Sequence, residues 1–211
     1  MNLDGLSDNA RQRIAFAVEV LSRAVLVAFY ALLAINILQD MQVKFRLSSF
    51  LLLIQELLLL SLILIRRPSV STSERPLEWG VAFATSFLFV MIRTHGSSEY
   101  LIGTIFSYAG VIVTILGVIA LKRSFGVVPA NRGIRTGGIY RLVRHPLYAG
   151  YSIASIGFLI NNFSLYNIFI LVTWFGFQAL RLQMEERHLA QTPDYRSYML
   201  GTRWRLFPGV W

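Results

Sequence analysis

Arg144, His145 and Tyr148 fall within five residues of one another, and an acidic pair, Glu185 and Glu186, begins 40 residues after the histidine. Histidine changes its protonation near neutrality. A carboxylate takes a proton or pairs with a cation, and a guanidinium grips a carboxylate or phosphate through parallel N–H groups. Proton transfer and the binding of a small charged molecule are both within reach of such a set. Tyr140, Pro146 and Gly150 complete the first cluster, and Tyr195, Tyr198 and Arg205 follow the acidic pair. Cysteine is absent, which excludes disulfides, thiolate zinc sites, cysteine nucleophiles and iron–sulfur clusters. His95, His145 and His188 form no pair at metal-ligand spacing, so no metal is expected, and GxGxxG and P-loop patterns are missing.

The elements that must position these residues are apolar. Of the 211 residues, 55% are hydrophobic and 15% charged, against roughly a quarter charged in a soluble domain. A membrane crossing takes about 20 mostly apolar residues. Stretches 18–38, 47–65, 77–92 (short) and 100–121 are the candidates, and a polar interval, 122–145, follows them. Two more apolar segments, 146–160 and 163–182, are separated only by Asn161 and Asn162, which predicts a tight helical hairpin. At about 1.5 Å per residue the first arm reaches only about 22 Å, so it must tilt, thin the bilayer or end inside protein. The expected fold is all-α: a polytopic membrane helix bundle of four N-terminal spans, a C-terminal hairpin and a cytoplasmic tail. It reads as a single domain, with spans in 1–121 and the chemistry-bearing half in 122–211.

With the hairpin taken as an up-and-down pair, sixteen Lys and Arg fall on one side of the membrane and three (Lys44, Arg46, Arg93) on the other, while Arg23 lies within the first span. A cytoplasmic excess of Lys and Arg is the rule for membrane proteins. Both termini are therefore expected in the cytoplasm, at the inner membrane of a bacterium or the endoplasmic reticulum of a eukaryote. The same rule accounts for the net charge of +9 without a nucleic-acid partner. The start MNLDGLSDNARQR carries acids and no small-residue cleavage site, so no removable signal peptide is expected.

The hairpin returns the chain to the face it left, so His145 and Glu185 can be neighbours where water meets lipid. Pro146 suits the first turn of a helix and keeps His145 out of helical conformation. Gly133, Gly137 and Gly138 let the preceding loop wrap closely around a ligand. Plainer readings exist: Arg144 and His145 as interfacial anchors, Tyr140, Tyr148 and Tyr151 as an aromatic belt, and the glutamates as a solvated helix end. Acids at a helix C-terminus nevertheless oppose its dipole and call for a cationic partner or ligand. Glu56, mid-span beside Gln55, is costly in lipid and must face protein or water; a structural role with a partner such as Arg23 is the simpler reading, and lining the acceptor cavity is the alternative.

GGIYRLVRHPLYAG, an apolar hairpin, EERHL and then DYRSYMLGTRWRLFPG together resemble the isoprenylcysteine carboxyl methyltransferase family and its relatives among phospholipid methyltransferases, over roughly residues 105–208. That family's R-H-P-x-Y-x-G run corresponds to Arg144, His145, Pro146, Tyr148 and Gly150, and its paired acids to Glu185 and Glu186. The resemblance implies an integral membrane enzyme using S-adenosyl-L-methionine, bound by Tyr140, Arg144, His145, Pro146, Tyr148, Gly150, Glu185 and Glu186 rather than by a Rossmann sheet. His145, Glu185 and Arg205 are the implied catalytic set, with Arg205, three residues before Pro208, facing the acceptor. The sequence departs from the family in having Thr192 where a glycine is common, and one extra residue between Tyr195 and Pro208 leaves Arg203 as an alternative to Arg205. The acceptor is expected to be a lipophilic small molecule or lipid presenting a carboxylate or phenol oxygen. Phosphatidylethanolamine-type N-methylation is the alternative, and a non-catalytic membrane protein or transporter on the same scaffold is a third reading.

Overall fold

The computed structural model describes residues 8–43, 45, 47–67, 71–73, 75–88, 91–93, 100–126 and 128–210. Lys44, Arg46 and His95 lie outside the described residues. The helices are α1 (Asp8–Val43), α2 (Leu47–Ile65), α3 (Pro76–Leu88), α4 (Leu101–Leu121), α5 (Pro146–Asn161), α6 (Leu165–Leu189) and α7 (Pro193–Gly201). The only strands among the described residues, β1 (Ser71–Thr72) and β2 (Ala130–Asn131), pair antiparallel. The architecture is thus the all-α membrane bundle that the apolar pattern predicts.

The helix limits differ from the expected spans for local reasons. The first helix runs through the polar flanks of its apolar stretch, and its membrane-grade part is Glu19–Gln39. The third opens on Pro76 and stops at Leu88, short of 92. The sixth passes 182 and continues to Leu189, because LRLQMEERHL is built of strong helix formers. Glu185 and Glu186 therefore stand on the body of α6, not in a tail. Among the described residues three helices, α1, α4 and α6, are long and apolar enough to cross a membrane, and the apolar stretch of α2, Phe50–Ile65, is shorter. The 16 residues of α5 reach about 24 Å.

α5 packs chiefly along α4 and touches α6 much less. Glycines make this close approach possible. Gly103, Gly110 and Gly117 recur every seven residues on α4 and Gly150 and Gly157 do so on α5, so each set stays on one helix face. A Cβ added at Gly110 would strike the backbone of Ala154 and the carbonyl of Gly150, and one at Gly157 would strike Ser107 and the Gly103 carbonyl. Small residues of this kind let helices approach closely in lipid, where the hydrophobic effect gives no drive to associate.

The bundle's ends are tied by polar groups. Asn167, fully buried, donates to the carbonyls of Arg93 (2.8 Å) and Asn162 (2.7 Å) and accepts from the Arg93 N–H at 3.1 Å. At the other end, the Arg67 N–H donates to the Arg123 carbonyl at 2.9 Å and the Ser73 N–H to the Pro129 carbonyl at 3.0 Å. The segment before α5 is thereby held against the segment after α2. Glu56 does not meet Arg23: its Oε1 accepts from Gln55 at 3.4 Å, and Arg23 pairs with Glu19 at 3.4 Å.

Overpacking the α4–α5 contact should be costly in a way an open glycine is not. Gly110→Ala is expected to destabilise the protein by about 1–3 kcal/mol. Gly176→Ala, with nothing within 4 Å of the added atom, should leave the midpoint of thermal unfolding in detergent unchanged or slightly raised.

Candidate active site

A 3₁₀ turn at Gly138–Arg141 delivers the chain to Arg144. Gly138 lies in the left-handed region at φ 61°, which glycine adopts without steric cost. His145 follows at φ −129° and ψ 63°, outside the helical region, and Pro146 opens α5, as expected of a residue before proline. The segment after α7 lies alongside: the Arg144 N–H donates to the Trp204 carbonyl and the His145 N–H to the Arg205 carbonyl, both at 2.9 Å.

Glu186 is the point on which the surrounding side chains converge. Its Oε1 accepts from Arg144 Nε at 2.7 Å and lies 3.2 Å from His145 Nε2, and its Oε2 accepts from Arg205 Nε at 2.8 Å. Arg144 also donates through Nη1 to the carbonyls of Thr202 (2.9 Å) and Arg203 (2.8 Å). Arg144, His145 and Glu186 are 7%, 5% and 5% exposed. An acid near the end of α6 faces unfavourable helix-dipole charge, and two guanidinium groups offset it. Because an ionised carboxylate only accepts hydrogen bonds, Nε2 is the His145 nitrogen that carries a proton toward Glu186.

Glu185, one residue earlier, points about 100° around the helix. Its Oε2 accepts from the Tyr148 hydroxyl at 2.6 Å. The Tyr148 ring lies 5.5 Å from the imidazole of His145, and the Arg181 guanidinium lies 5.5 Å from the centre of the same ring. Arg181 is one turn before Glu185, so a carboxylate, a phenol and a cation share one face of α6 and the start of α5.

Tyrosines line the neighbouring ground. Tyr198 donates its hydroxyl to the Tyr140 carbonyl at 2.6 Å and meets Tyr195 edge-on at 5.7 Å. Burial pushes the Tyr198 phenol up to about 12 and drives Tyr140 well above the ordinary phenol range, so both are neutral hydroxyls at physiological pH. The buried Tyr195 hydroxyl has no hydrogen-bond partner among the described residues. A cleft of about 560 Å³ adjoins the turn that carries Tyr140, lined by Ala120, Ile134, Arg135, Gly137, Gly138 and Ile139 among others. That size is in the range of small-molecule sites.

The structure therefore gathers Arg144, His145, Tyr148, Glu185, Glu186 and Arg205 at one place, with Tyr140 beside them and Pro146 setting the turn. Gly150 stands apart from the polar groups. It faces Thr114 and Gly110 of α4, where its lack of a side chain serves helix packing. Of the two late arginines, it is Arg205 that reaches Glu186; Arg203 contributes its carbonyl and lays its guanidinium on the Trp204 ring at 5.2 Å. His188, close to the acids in sequence, turns to Ser71 Oγ at 3.1 Å. Two contributors were not read from the sequence: Arg181, whose signal was its i, i+4 spacing to Glu185, and the backbone of 202–205, for which side-chain types gave none.

Residues 98–194 match the family model described as phospholipid methyltransferase. The match takes in the R-H-P-x-Y-x-G run and both acids and ends before Arg205. No curated protein matches the chain. The match makes residues 98–194 similar to a family of lipid-acting methyltransferases, and the apolar helices among the described residues suit a membrane protein.

Removing the Glu186 carboxylate would leave buried Arg144 without its counter-charge. Glu186→Ala should therefore destabilise the protein by about 3 kcal/mol or more. Arg205→Ala should cost about 1 kcal/mol or less, since that side chain is 32% exposed and solvent screens its pairing. Chemical unfolding of the two variants in the same detergent measures the difference.

Proposed function

We propose that this chain moves a methyl group from S-adenosyl-L-methionine to an oxygen of a lipophilic acceptor, a carboxylate or a phenol, a reading supported by the match of residues 98–194 to the phospholipid methyltransferase family model. The observation that carries the reading is the closure of one constellation, His145, Tyr148, Glu185 and Glu186, by segments 40 residues apart. We read the chain as one functional unit, with the constellation at the cytoplasmic face and both termini on that side, in keeping with the sixteen-to-three distribution of Lys and Arg.

The donor set fits such a cofactor. A sulfonium and an ammonium are cations, and Glu185 with the faces of Tyr148 and Tyr140 offers the carboxylate and aromatic surfaces that cations favour. The cleft beside Gly137 and Gly138 has the volume for a nucleoside-sized body. Arg144 is differently occupied: two carbonyls and Glu186 hold it, so we assign it to positioning, with Arg205 beside it. S-adenosyl-L-methionine supplies an electrophilic methyl group.

The residues around the cofactor have to orient the partners in line and exclude water. A carboxylate acceptor needs no base. A phenol or ammonium does, and His145 is placed for it: with Nε2–H directed at Glu186, the neutral ring presents Nδ1 as its basic atom. An apolar acceptor tail reaches this ground from the bilayer along lipid-exposed helix faces.

A second reading, N-methylation of a phosphatidylethanolamine-type head group, is favoured by the family description itself. Labelled donor and a lipid extract separate the two, according to whether label enters N-methylated phospholipid or an ester or ether. Calorimetry on detergent-purified protein should give donor binding for the unaltered chain. Glu185→Gln should weaken it at least tenfold, about 1.4 kcal/mol, without loss of thermal stability. His145→Ala should lower turnover. Intact donor binding and turnover in both variants would remove these residues from the site.

A further inference from the structure

Away from the Glu186 constellation, a second ionic cluster joins α1, the end of α2 and the segment leading to α5. Glu19 accepts from Arg66 Nη2 at 2.9 Å, Arg132 Nη2 at 3.1 Å and Arg23 Nη2 at 3.4 Å. Arg132 also donates to the Arg67 carbonyl. The side chains of Arg66 and Arg132 are only 2% and 4% exposed. Three guanidinium groups thus surround one carboxylate, an excess of positive charge in a setting where an unpaired buried charge is costly. Burial, and after it the neighbouring charge of Arg132, pull the Arg66 guanidinium below its ordinary range.

The cluster borders a small cavity of about 20 Å³, lined by Glu19, Ser22, Arg66, Thr72, Trp79 and Arg132 together with apolar Leu26, Phe83 and Val128. The Nε–H groups of both Arg66 and Arg132 are buried with no acceptor among the described residues. Cavities of this measure hold about one water-sized particle. That volume admits a monatomic anion.

We propose that the cavity between Arg66 and Arg132 is a binding site for a small monovalent anion of the halide class, chloride in the cell, which offsets the uncompensated guanidinium charge and ties the segment before α5 to α1 and α2. The site is independent of the methyltransferase reading: none of its residues belongs to the Glu186 constellation.

Thermal unfolding of the purified full chain in sodium gluconate, chloride and bromide at one ionic strength tests it, since screening is then constant and gluconate is too large to enter. Chloride and bromide should raise the midpoint saturably over gluconate, as a ligand of the folded state does. Glu19→Gln, which removes the internal carboxylate, should bind halide several-fold more tightly, and Arg132→Met should lose the response. Bromide anomalous scattering on the unaltered protein, which asks nothing of the variants' folding, should place a peak in the cavity. Equal midpoints in the three salts for both the unaltered chain and Glu19→Gln, or no bromide peak, would overturn the proposal. Stabilisation in gluconate by inorganic phosphate or by phosphatidylglycerol micelles, without a halide effect, would also overturn it and assign the charge to a free or lipid-borne oxyanion.

Discussion

A carboxylate buried near the C-terminal end of a helix is an unfavourable arrangement twice over, for its desolvation and for the partial negative charge of the last turn. Glu186 occupies that position, and the geometry of this end of the bundle follows from neutralising it. Arg144 must arrive from the segment before α5 and Arg205 from the segment after α7. The backbone hydrogen bonds from residues 144 and 145 to the carbonyls of 204 and 205 then align both guanidinium groups with the one carboxylate. His145 enters as the third contact, and its ring orientation is set by the bond it makes there. Glu185, turned away from that cluster by one residue of helix rotation, keeps its carboxylate for the Tyr148 hydroxyl.

Much of this was legible in residue types and spacing. The hairpin length and the two polar clusters at its mouth were enough to bring His145 to the acidic pair, and Pro146 was enough to predict a histidine outside the helix. The sequence did not tell which glutamate would take the cations. That choice depends on the rotational phase of α6 against the chain after α7, and phase is set by packing rather than by the order of residues. The role of the 202–205 carbonyls was hidden for a related reason, because backbone acceptors are common to all residues. Gly150 belonged to the motif by position, yet its neighbours on α4 explain it by size.

The partner of α5 was likewise not legible from adjacency in sequence. A hairpin suggests that its two arms pack on each other, but the seven-residue glycine rows on α4 and α5 make that older neighbour the closer fit. Shortness of α5 fits the same picture. A helix of 16 residues that lies against another helix over its length need not match the bilayer by itself. Glu19, placed at the edge of the first apolar stretch, similarly found its charge partners in Arg66 and Arg132, residues of two different connecting segments that no local pattern links.

The glycine-lined contact also decides where this molecule can flex. Two helices whose backbones interlock leave no slack for sliding or for prying apart, and packed elements of this kind move as one block. α4 and α5 therefore form a rigid spar carrying the histidine at its tip. Any breathing that lets a lipid in sideways has to be borne by the looser-fitting helices around that spar.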